Sequence, residues 1–320
     1  MNDPLALVRA VHLLATILGA GVAFFRVFVA EPALGRNSAT LLVRTRAQLS
    51  FLLAVNLAVA IVSGLAWFWL LAARIGDTSL LDALGETGGI LLTQTQFGTV
   101  WQLRFVLALV LAATLWQPTR DAAPVRDLIA VGASACFAGT LAWSGHGAAT
   151  PGNAGGLHLV ADILHLIAAA VWVGGLVPLV MLMRWMIQSG DENGSTALLD
   201  ILCRFSNLGL ISVAALVVSG ALNTYFILGS IEALFAGDYG RVLLAKLGLF
   251  TVMLGLAAIN RQKLTPDLAS ATADPRLAAQ ATRRIRVNAL AEIGLGIAIV
   301  LLVGWLGIIV PGVTAHGHLH

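Results

Sequence analysis

Eight apolar stretches, each about as long as a bilayer is thick, dominate this 320-residue chain. Crossing a hydrocarbon core of roughly 30 Å takes about 20 helical residues, and backbone polar groups in lipid must bond within the segment. Charged residues make up only 11% of the sequence, against roughly 25% in an ordinary globular domain. The sequence therefore predicts an all-α, multi-pass protein of the cell inner membrane. Its eight predicted transmembrane helices lie near 4–30, 47–73, 97–117, 126–144, 157–184, 204–229, 240–260 and 288–311.

Lysine and arginine are unevenly divided between the two sides of this topology. The odd-numbered connections, which we call the basic side, contain Arg36, Arg44, Arg46, Arg120, Arg126, Arg184, Arg204, Arg261, Lys263, Arg276, Arg283, Arg284 and Arg286. The opposite side has only Arg9, Arg74 and Arg241. Because cytoplasmic loops are enriched in basic residues, the basic side is predicted to be cytoplasmic and both termini periplasmic. The net charge of +3 is concentrated in short loops, which indicates contact with lipid headgroups and not with nucleic acid.

An internal repeat relates the first four helices to the last four. Aligning the two sets brings similar residues into register in the same order. The matched pairs include His12 with His165, Gly21 with Gly174, Ser63 with Ser219, Gly98 with Gly240, and Arg104 with Lys246. An even number of helices in each repeat gives the halves one orientation, about a pseudo-twofold axis along the membrane normal. We therefore expect one membrane domain built from a parallel 4+4 repeat, with halves at about 1–150 and 151–311.

All seven histidines fall on the side opposite the basic side, which we call the histidine side. His158, Asp162 and His165 are spaced four and three residues apart, so they share one face of the fifth helix. Imidazole nitrogens and carboxylate oxygens are suitable ligands for a metal such as copper. Ionisable groups inside a span cost roughly 2.5 to 3.5 kcal/mol and usually have a function. These three residues are therefore predicted metal ligands.

Two more histidines join this predicted set. His12 lies at the same depth as its repeat mate His165, and His146 lies in an uncharged turn at the mouth of the same region. For His12 alone, a hydrogen bond to a backbone carbonyl is an equally good interpretation. Weaker candidates are His316, His318 and His320 in the tail 312–320, and Met183 and Met186 near the basic side. Thioether sulfur favours Cu(I), although packing is the simpler role for the methionines.

Arg104 and Lys246 form a second pair of ionisable residues within the spans. In one interpretation, each side chain extends to the lipid headgroups or pairs with Asp162 and its neighbours. In the other, the two together form a positively charged ring that binds an anionic group. The sequence contains no Gly-rich phosphate loop, no Cys-x-x-Cys pair and no His-Glu-x-x-His motif. No enzymatic activity is therefore expected.

The order and spacing of several motifs resemble the CopD copper-resistance family. The motifs are His12-Leu13-Leu14-Ala15, Ser144-Gly145-His146, His165 through Trp172-Val173-Gly174-Gly175 to Pro178, Arg204-Phe205-Ser206, Ser219-Gly220 with Asn223, Tyr239-Gly240-Arg241 with Lys246, Asn260-Arg261, and Gly304-Trp305-Leu306-Gly307. The resemblance covers nearly the whole chain. It implies an eight-helix inner-membrane protein that moves copper from periplasm to cytoplasm, with His12, His146 and His165 as ligands. It also implies a periplasmic copper-binding partner of the CopC type, expected here as a separate chain.

Three functions remain open at this point, of which the third is a copper sensor or partner scaffold that does not transport. The first is copper transport, in which ions are captured on the histidine side and pass the His and Asp ligands; the oxidation state is undetermined. The second is electron transfer by haem b, with His12 and His165 as axial ligands and Arg104 and Lys246 facing the propionates. Additional ligands such as His158 and Asp162 have no use in the haem hypothesis and favour the copper one.

Overall fold

The computed structural model describes residues 4–37, 39–116, 123–144, 152–189, 194–235, 237–271 and 274–307. Within these ranges the chain is helical apart from short connections and has no strand. Eight helices in these ranges are long and apolar enough to cross a membrane, which confirms the predicted fold class. They are α1 (Pro4–Arg36), α2 (Thr40–Gly76), α3 (Gln96–Trp116), α4 (Pro124–Ser144), α5 (Ala154–Met186), α6 (Thr196–Leu228), α7 (Gly237–Ser270) and α8 (Arg276–Leu306).

Several helices extend well beyond the apolar runs from which they were predicted. α1 continues to Arg36, α2 begins at Thr40, α7 continues to Ser270 and α8 begins at Arg276. All of these extensions lie on the basic side. Hydropathy detects only the lipid-facing length of a helix, whereas backbone hydrogen bonding continues wherever polar side chains find partners. The predicted boundaries were therefore wrong by up to about three helical turns on this side alone.

Ion pairs hold the helix extensions of the first half together on the basic side. The Arg46 guanidinium donates to both carboxylate oxygens of Glu31, at 2.7 and 2.6 Å. Arg26 lies 3.1 Å from the carboxylate of Asp127 and donates a hydrogen bond to the Ser50 hydroxyl at 2.9 Å. These contacts connect α1 to both α2 and α4. The basic side of the first half is therefore a connected polar layer.

The two halves meet where α1 crosses α5. A Cβ atom built on Gly21 would collide with the backbone of Gly174 and Ala170, and one built on Gly174 would collide with the backbone of Ile17 and Gly21. Gly21 and Gly174 are repeat mates, and two equivalent residues touch each other only when they lie on the symmetry axis that relates them. Small residues at such a crossing let two membrane helices approach closely. This contact thus agrees with the predicted pseudo-twofold axis.

Other contacts of repeat mates also match. A Cβ on Gly64 would lie 3.0 Å from Cε1 of His12, and one on Gly220 would lie 3.4 Å from Cε1 of His165. Each half therefore places its histidine against the second helix of the same half. The halves also agree in a short helix that precedes α3 and α7, at Glu86–Gln94 and Glu232–Phe235.

Candidate functional site

His12 is enclosed within the first half. Its side chain is 1% exposed, and Nδ1 lies 2.9 Å from the carbonyl oxygen of Ala60 and 3.3 Å from Oγ of Ser63. The Ser63 hydroxyl donates its own proton to the Val59 carbonyl at 2.6 Å. Both neighbours of Nδ1 are thus acceptors, so Nδ1 carries the imidazole proton and Nε2 keeps the lone pair.

Arg104 occupies the lone pair of His12. Its Nη2 lies 2.6 Å from Nε2 of His12, and its Nη1 donates to the Phe137 carbonyl at 2.7 Å and to the Thr140 hydroxyl at 2.6 Å. At 3% exposure, Arg104 neither extends to the headgroups nor pairs with Asp162. Hydrogen bonding thus occupies both ring nitrogens of His12 in this structure.

Three aromatic side chains close the space around His12. The rings of Trp67 and Trp101 lie 5.5 and 5.6 Å from the imidazole, and that of Phe137 lies at 6.5 Å. The Arg104 guanidinium lies 4.1 Å from the centre of the Phe137 ring, within cation–π range. We call this set, with His12 and Arg104, the closed site.

His165 has the same serine contact as His12, and its backbone partner is Leu216 where that of His12 is Ala60. Its Nδ1 lies 3.0 Å from Oγ of Ser219, whose hydroxyl donates to the Ala215 carbonyl at 2.6 Å. Nδ1 therefore carries the proton, as in His12, and Nε2 keeps its lone pair. No hydrogen bond from the described residues occupies that nitrogen. Of the two repeat mates His12 and His165, both within the described residues, only His165 thus has a nitrogen available to an incoming ligand.

A cavity of about 190 Å³ lies beside His165. His158, Asp162 and His165 all line it, as their predicted common face requires. Arg9, Lys246 and other polar groups also line it, so positive side chains surround the Asp162 carboxylate, which accepts a hydrogen bond from Asn223 at 3.2 Å. We call this space the histidine cavity.

The three predicted ligands do not converge on one point. Among the described residues, no three His, Cys, Asp or Glu side chains come close enough together to hold a metal ion. Residues 158 and 165 are seven positions apart, which is roughly 10 Å along a helix. The buried His158 ring stacks on Phe226 with 5.1 Å between ring centres. The three residues thus line one cavity, but the described structure does not preassemble a three-ligand centre, and metal binding by them stays a prediction.

A larger apolar space of about 660 Å³ adjoins the histidine cavity, and we call it the lateral cavity. His165, Lys246 and Gly220 line both spaces. Residues of α6 and α7 form much of its wall, among them Tyr225, whose side chain is exposed. The ligand-accessible side of His165 thus lies at a junction of two cavities.

The remaining predicted ligands lie apart from this junction. Met183 and Met186 are buried in the largest apolar core, which is the packing role that the sequence also allowed. His146, His316, His318 and His320 lie outside the described residues. Copper binding by these residues stays a prediction.

Arg9 and Asn223 are site residues that sequence reasoning did not assign. Arg9 is held at the helix ends, where it donates to the carbonyls of Gly307 and Ser144 at 3.0 and 2.9 Å. Asn223 follows Ser219 by four residues, so it lies on the helix face that contacts His165. That spacing was an available signal for Asn223. The position of Arg9 depends on α4 and α8, and no local pattern indicates it.

Comparisons with known proteins agree with the fold and with copper handling. A family model described as Copper resistance protein D matches residues 199–306, and one described as Copper resistance protein D-like, N-terminal domain, matches residues 1–156. Copper resistance protein D of Pseudomonas syringae pv. tomato is 32% identical over 322 residues, which span 98% of this chain and 99% of that protein.

Two further relatives match in part. Copper transport protein CutJ of Bacillus subtilis (strain 168) is 29% identical over 81% of this chain and 46% of its own length. Inner membrane protein YebZ of Escherichia coli (strain K12) is 34% identical over 55% of this chain and 57% of its own length. Taken with the full-length match to the Pseudomonas protein and the eight apolar helices, these similarities place the chain in the copper resistance protein D family of multi-pass inner-membrane proteins.

Proposed function

We propose that this protein moves copper ions from the periplasm to the cytoplasm through its second half, with His165 as the central ligand. The observation that carries the proposal is the unoccupied Nε2 lone pair of His165 beside the Asp162 carboxylate, in a cavity on the histidine side. A neutral imidazole and a carboxylate are both competent copper ligands. The family to which the chain belongs is named for copper resistance.

The ligand set of this site is incomplete in the resting protein, which suits transport. An ion that is bound too completely leaves slowly, so conduction needs ligands that hold it only in passing. His165 and Asp162 offer one nitrogen and one carboxylate, and His158 lines the same cavity. A copper ion passing through would complete its coordination with water or with a small movement of α5.

Positive charge regulates entry in this proposal. Arg9 and Lys246 line the histidine cavity together with Asp162. These cations oppose the approach of a copper ion, while the carboxylate attracts it. These opposing electrostatic effects favour ions that replace bound water with nitrogen and oxygen ligands. They disfavour ions that are held by charge alone.

The asymmetry of the chain supports the proposed direction, and the family resemblance supports the proposed partner. Histidines lie on one side of the predicted topology and basic residues on the other, and basic loops are typically cytoplasmic. Copper would therefore be captured in the periplasm, where a separate copper-binding protein of the CopC type is a suitable donor. His146 and the tail histidines His316, His318 and His320 are candidates for this transfer.

The geometry does not favour the haem hypothesis. Axial ligation by His12 and His165 needs a lone pair on each residue, and Arg104 engages that of His12. We therefore advance copper transport alone.

Copper uptake into membrane vesicles tests the proposal. We expect Asp162→Asn to lower the initial rate at least about tenfold, because the cavity then lacks its only predicted anionic ligand. The matched control is Asp238→Asn, since Asp238 is an exposed residue paired with Arg241 at the start of α7. Equal uptake by wild type and Asp162→Asn would refute the role of this cavity, and no uptake by wild type would refute transport.

A further inference from the structure

A second polar site lies in the same half of the chain, closer to the basic side. Glu292 of α8 is only 2% exposed and lines a cavity of about 270 Å³, which we call the glutamate cavity. Asn260, Arg261 and Ser206 line the same space. The equivalent position in the first half, four helices earlier, is Ala130. The carboxyl group is therefore a property of the second half alone.

A fixed amide group holds one oxygen of this carboxyl. Asn260 donates from Nδ2 to Oε1 of Glu292 at 2.9 Å, and Asn288 donates to Oδ1 of Asn260, also at 2.9 Å. The second bond sets the orientation of the Asn260 amide, so that its NH₂ group faces Glu292. Asn260 begins a π-helical turn, Asn260–Leu264, within α7. Such turns inside helices are frequent at functional sites.

No cation balances the carboxyl. Across the described residues, no Lys, Arg or His nitrogen lies within 4 Å of Glu292, and Arg261 is the only other charged residue that lines the cavity. The Arg261 guanidinium is engaged elsewhere, donating to the Ser206 hydroxyl at 2.6 Å and to Asn207 at 3.1 Å. An isolated buried carboxylate is costly, and such a group usually binds a proton instead. A metal ion that stays bound needs several ligands, whereas a proton needs only Oε2 of Glu292, the oxygen that Asn260 does not engage, and it can leave when a passing ion brings positive charge into the cavity.

The glutamate cavity adjoins the proposed copper path. Trp172 lines both this cavity and the lateral cavity that His165 shares. Its buried side chain packs edge-on against Phe250 with 6.0 Å between ring centres. Trp172 also lies in a π-helical turn, Ala170–Gly174. A layer of two aromatic rings thus separates the space beside His165 from the space beside Glu292.

We propose that Glu292 binds a proton in the copper-free protein and releases it to the basic side when a copper ion enters the glutamate cavity. The O–H bond of the carboxyl breaks, the proton leaves through the cavity, and the carboxylate neutralises one positive charge of the ion. When the ion departs, a proton from the basic side binds again. Only the arrival of copper depends on the proposed transport function; the proton site does not.

Infrared difference spectroscopy of the purified full-length protein tests this directly. We expect copper, added as Cu(II) sulfate or as Cu(I) kept reduced with ascorbate, to remove the carbonyl band of one protonated carboxyl group. In weakly buffered solution the same addition should release one proton that Glu292→Gln does not release. Glutamine keeps the shape of the side chain and an acceptor for Asn260. Glu86→Gln, at an exposed position outside the eight spans, is the matched control and should behave as wild type.

The outcomes separate the two proposals. If wild type shows no band of a protonated carboxyl group, the proton site is overturned. The same holds if the band persists in Glu292→Gln. A band that copper leaves unchanged overturns proton release. If the band and its loss with copper are both present while wild-type vesicles take up no copper, the proton site stands and the proposed transport function fails.

Discussion

Each half of this molecule places a histidine, His12 or His165, against a serine, Ser63 or Ser219. The two halves differ in what else surrounds the imidazole. In the first half, Arg104 and three aromatic rings fill the space around His12. In the second half, cavities of about 190 and 660 Å³ adjoin His165. Smaller residues stand at the equivalent positions of the second half. They are Asn223 for Trp67, Leu243 for Trp101 and Ile299 for Phe137.

This difference shows how a duplicated fold can separate support from function. In the closed site both ring nitrogens of His12 are engaged and aromatic rings surround the imidazole, so we expect this site to contribute to stability and not to ion binding. The second half has unfilled volume, an available nitrogen and two carboxyl groups that line cavities, those of Asp162 and Glu292. Under the proposed function, smaller residues and added polar groups in the second half would confine the copper path to that half.

The largest expected effect comes from opening the closed site. Trp101→Ala should lower the free energy of unfolding by about 3 to 5 kcal/mol, because it leaves a cavity against His12 and Arg104. Thermal unfolding in detergent measures this effect. Leu243→Ala, at the equivalent position beside existing cavities, should cost less. A similar loss in both variants would show that the two halves are packed alike.

The next effect concerns the two histidines. His165→Ala should weaken copper binding to purified protein roughly a hundredfold, the cost of losing a ligand or its support. His12→Ala should leave the affinity within about threefold, since its nitrogens are already engaged. Competition with a chelator of known affinity gives both values, and thermal unfolding confirms that each variant is folded. Stronger loss in His12→Ala would reverse the assignment of the two halves.

A larger side chain beside His165 should make the second half resemble the closed site of the first half. Leu243→Trp restores the bulk found at Trp101 and should lower copper uptake about tenfold by narrowing the space beside His165. The change in stability should stay below about 1 kcal/mol, because the ring enters existing volume and does not overpack a filled core. Uptake into vesicles, together with thermal unfolding, tests both parts. Unchanged uptake would indicate that ions do not pass this point.

The smallest effect is expected from the serines that orient the imidazoles. Ser219→Ala should weaken copper binding about threefold to tenfold, because the His165 ring keeps its backbone partner Leu216 but loses the Ser219 hydroxyl that helps to orient it. Ser63→Ala should not change copper affinity. The same chelator competition resolves this difference. If Ser219→Ala binds copper as wild type does, the serine has only a packing role.

Most of the fold could be predicted from the sequence, because membrane spans depend on local composition. The eight apolar runs became α1 to α8, and the register of repeat mates such as Gly21 and Gly174 agrees with their contact in the structure. The helix ends on the basic side could not be predicted this way. They are polar, and partners such as Glu31 and Arg46 come together only after folding.

The site could be predicted only as a set of candidates. Its residue types were evident from the sequence, since ionisable groups in apolar runs stand out wherever they occur. Spacing along α5 predicted a common face for His158, Asp162 and His165, and all three line one cavity. It could not show that they fail to converge, because ring orientation depends on Phe226 and Ser219, which belong to another helix.

What the sequence by itself determined is the membrane class, the number of spans and the family resemblance, while the repeat pairing and the copper ligands stay predictions. Tertiary structure alone decided which histidine is available. The state of His12 depends on Ser63 and Arg104, which are 51 and 92 positions away along the chain. A lone pair is free or occupied according to the groups within about 3 Å of it. For residues as distant in sequence as these, only helix packing brings the groups that close.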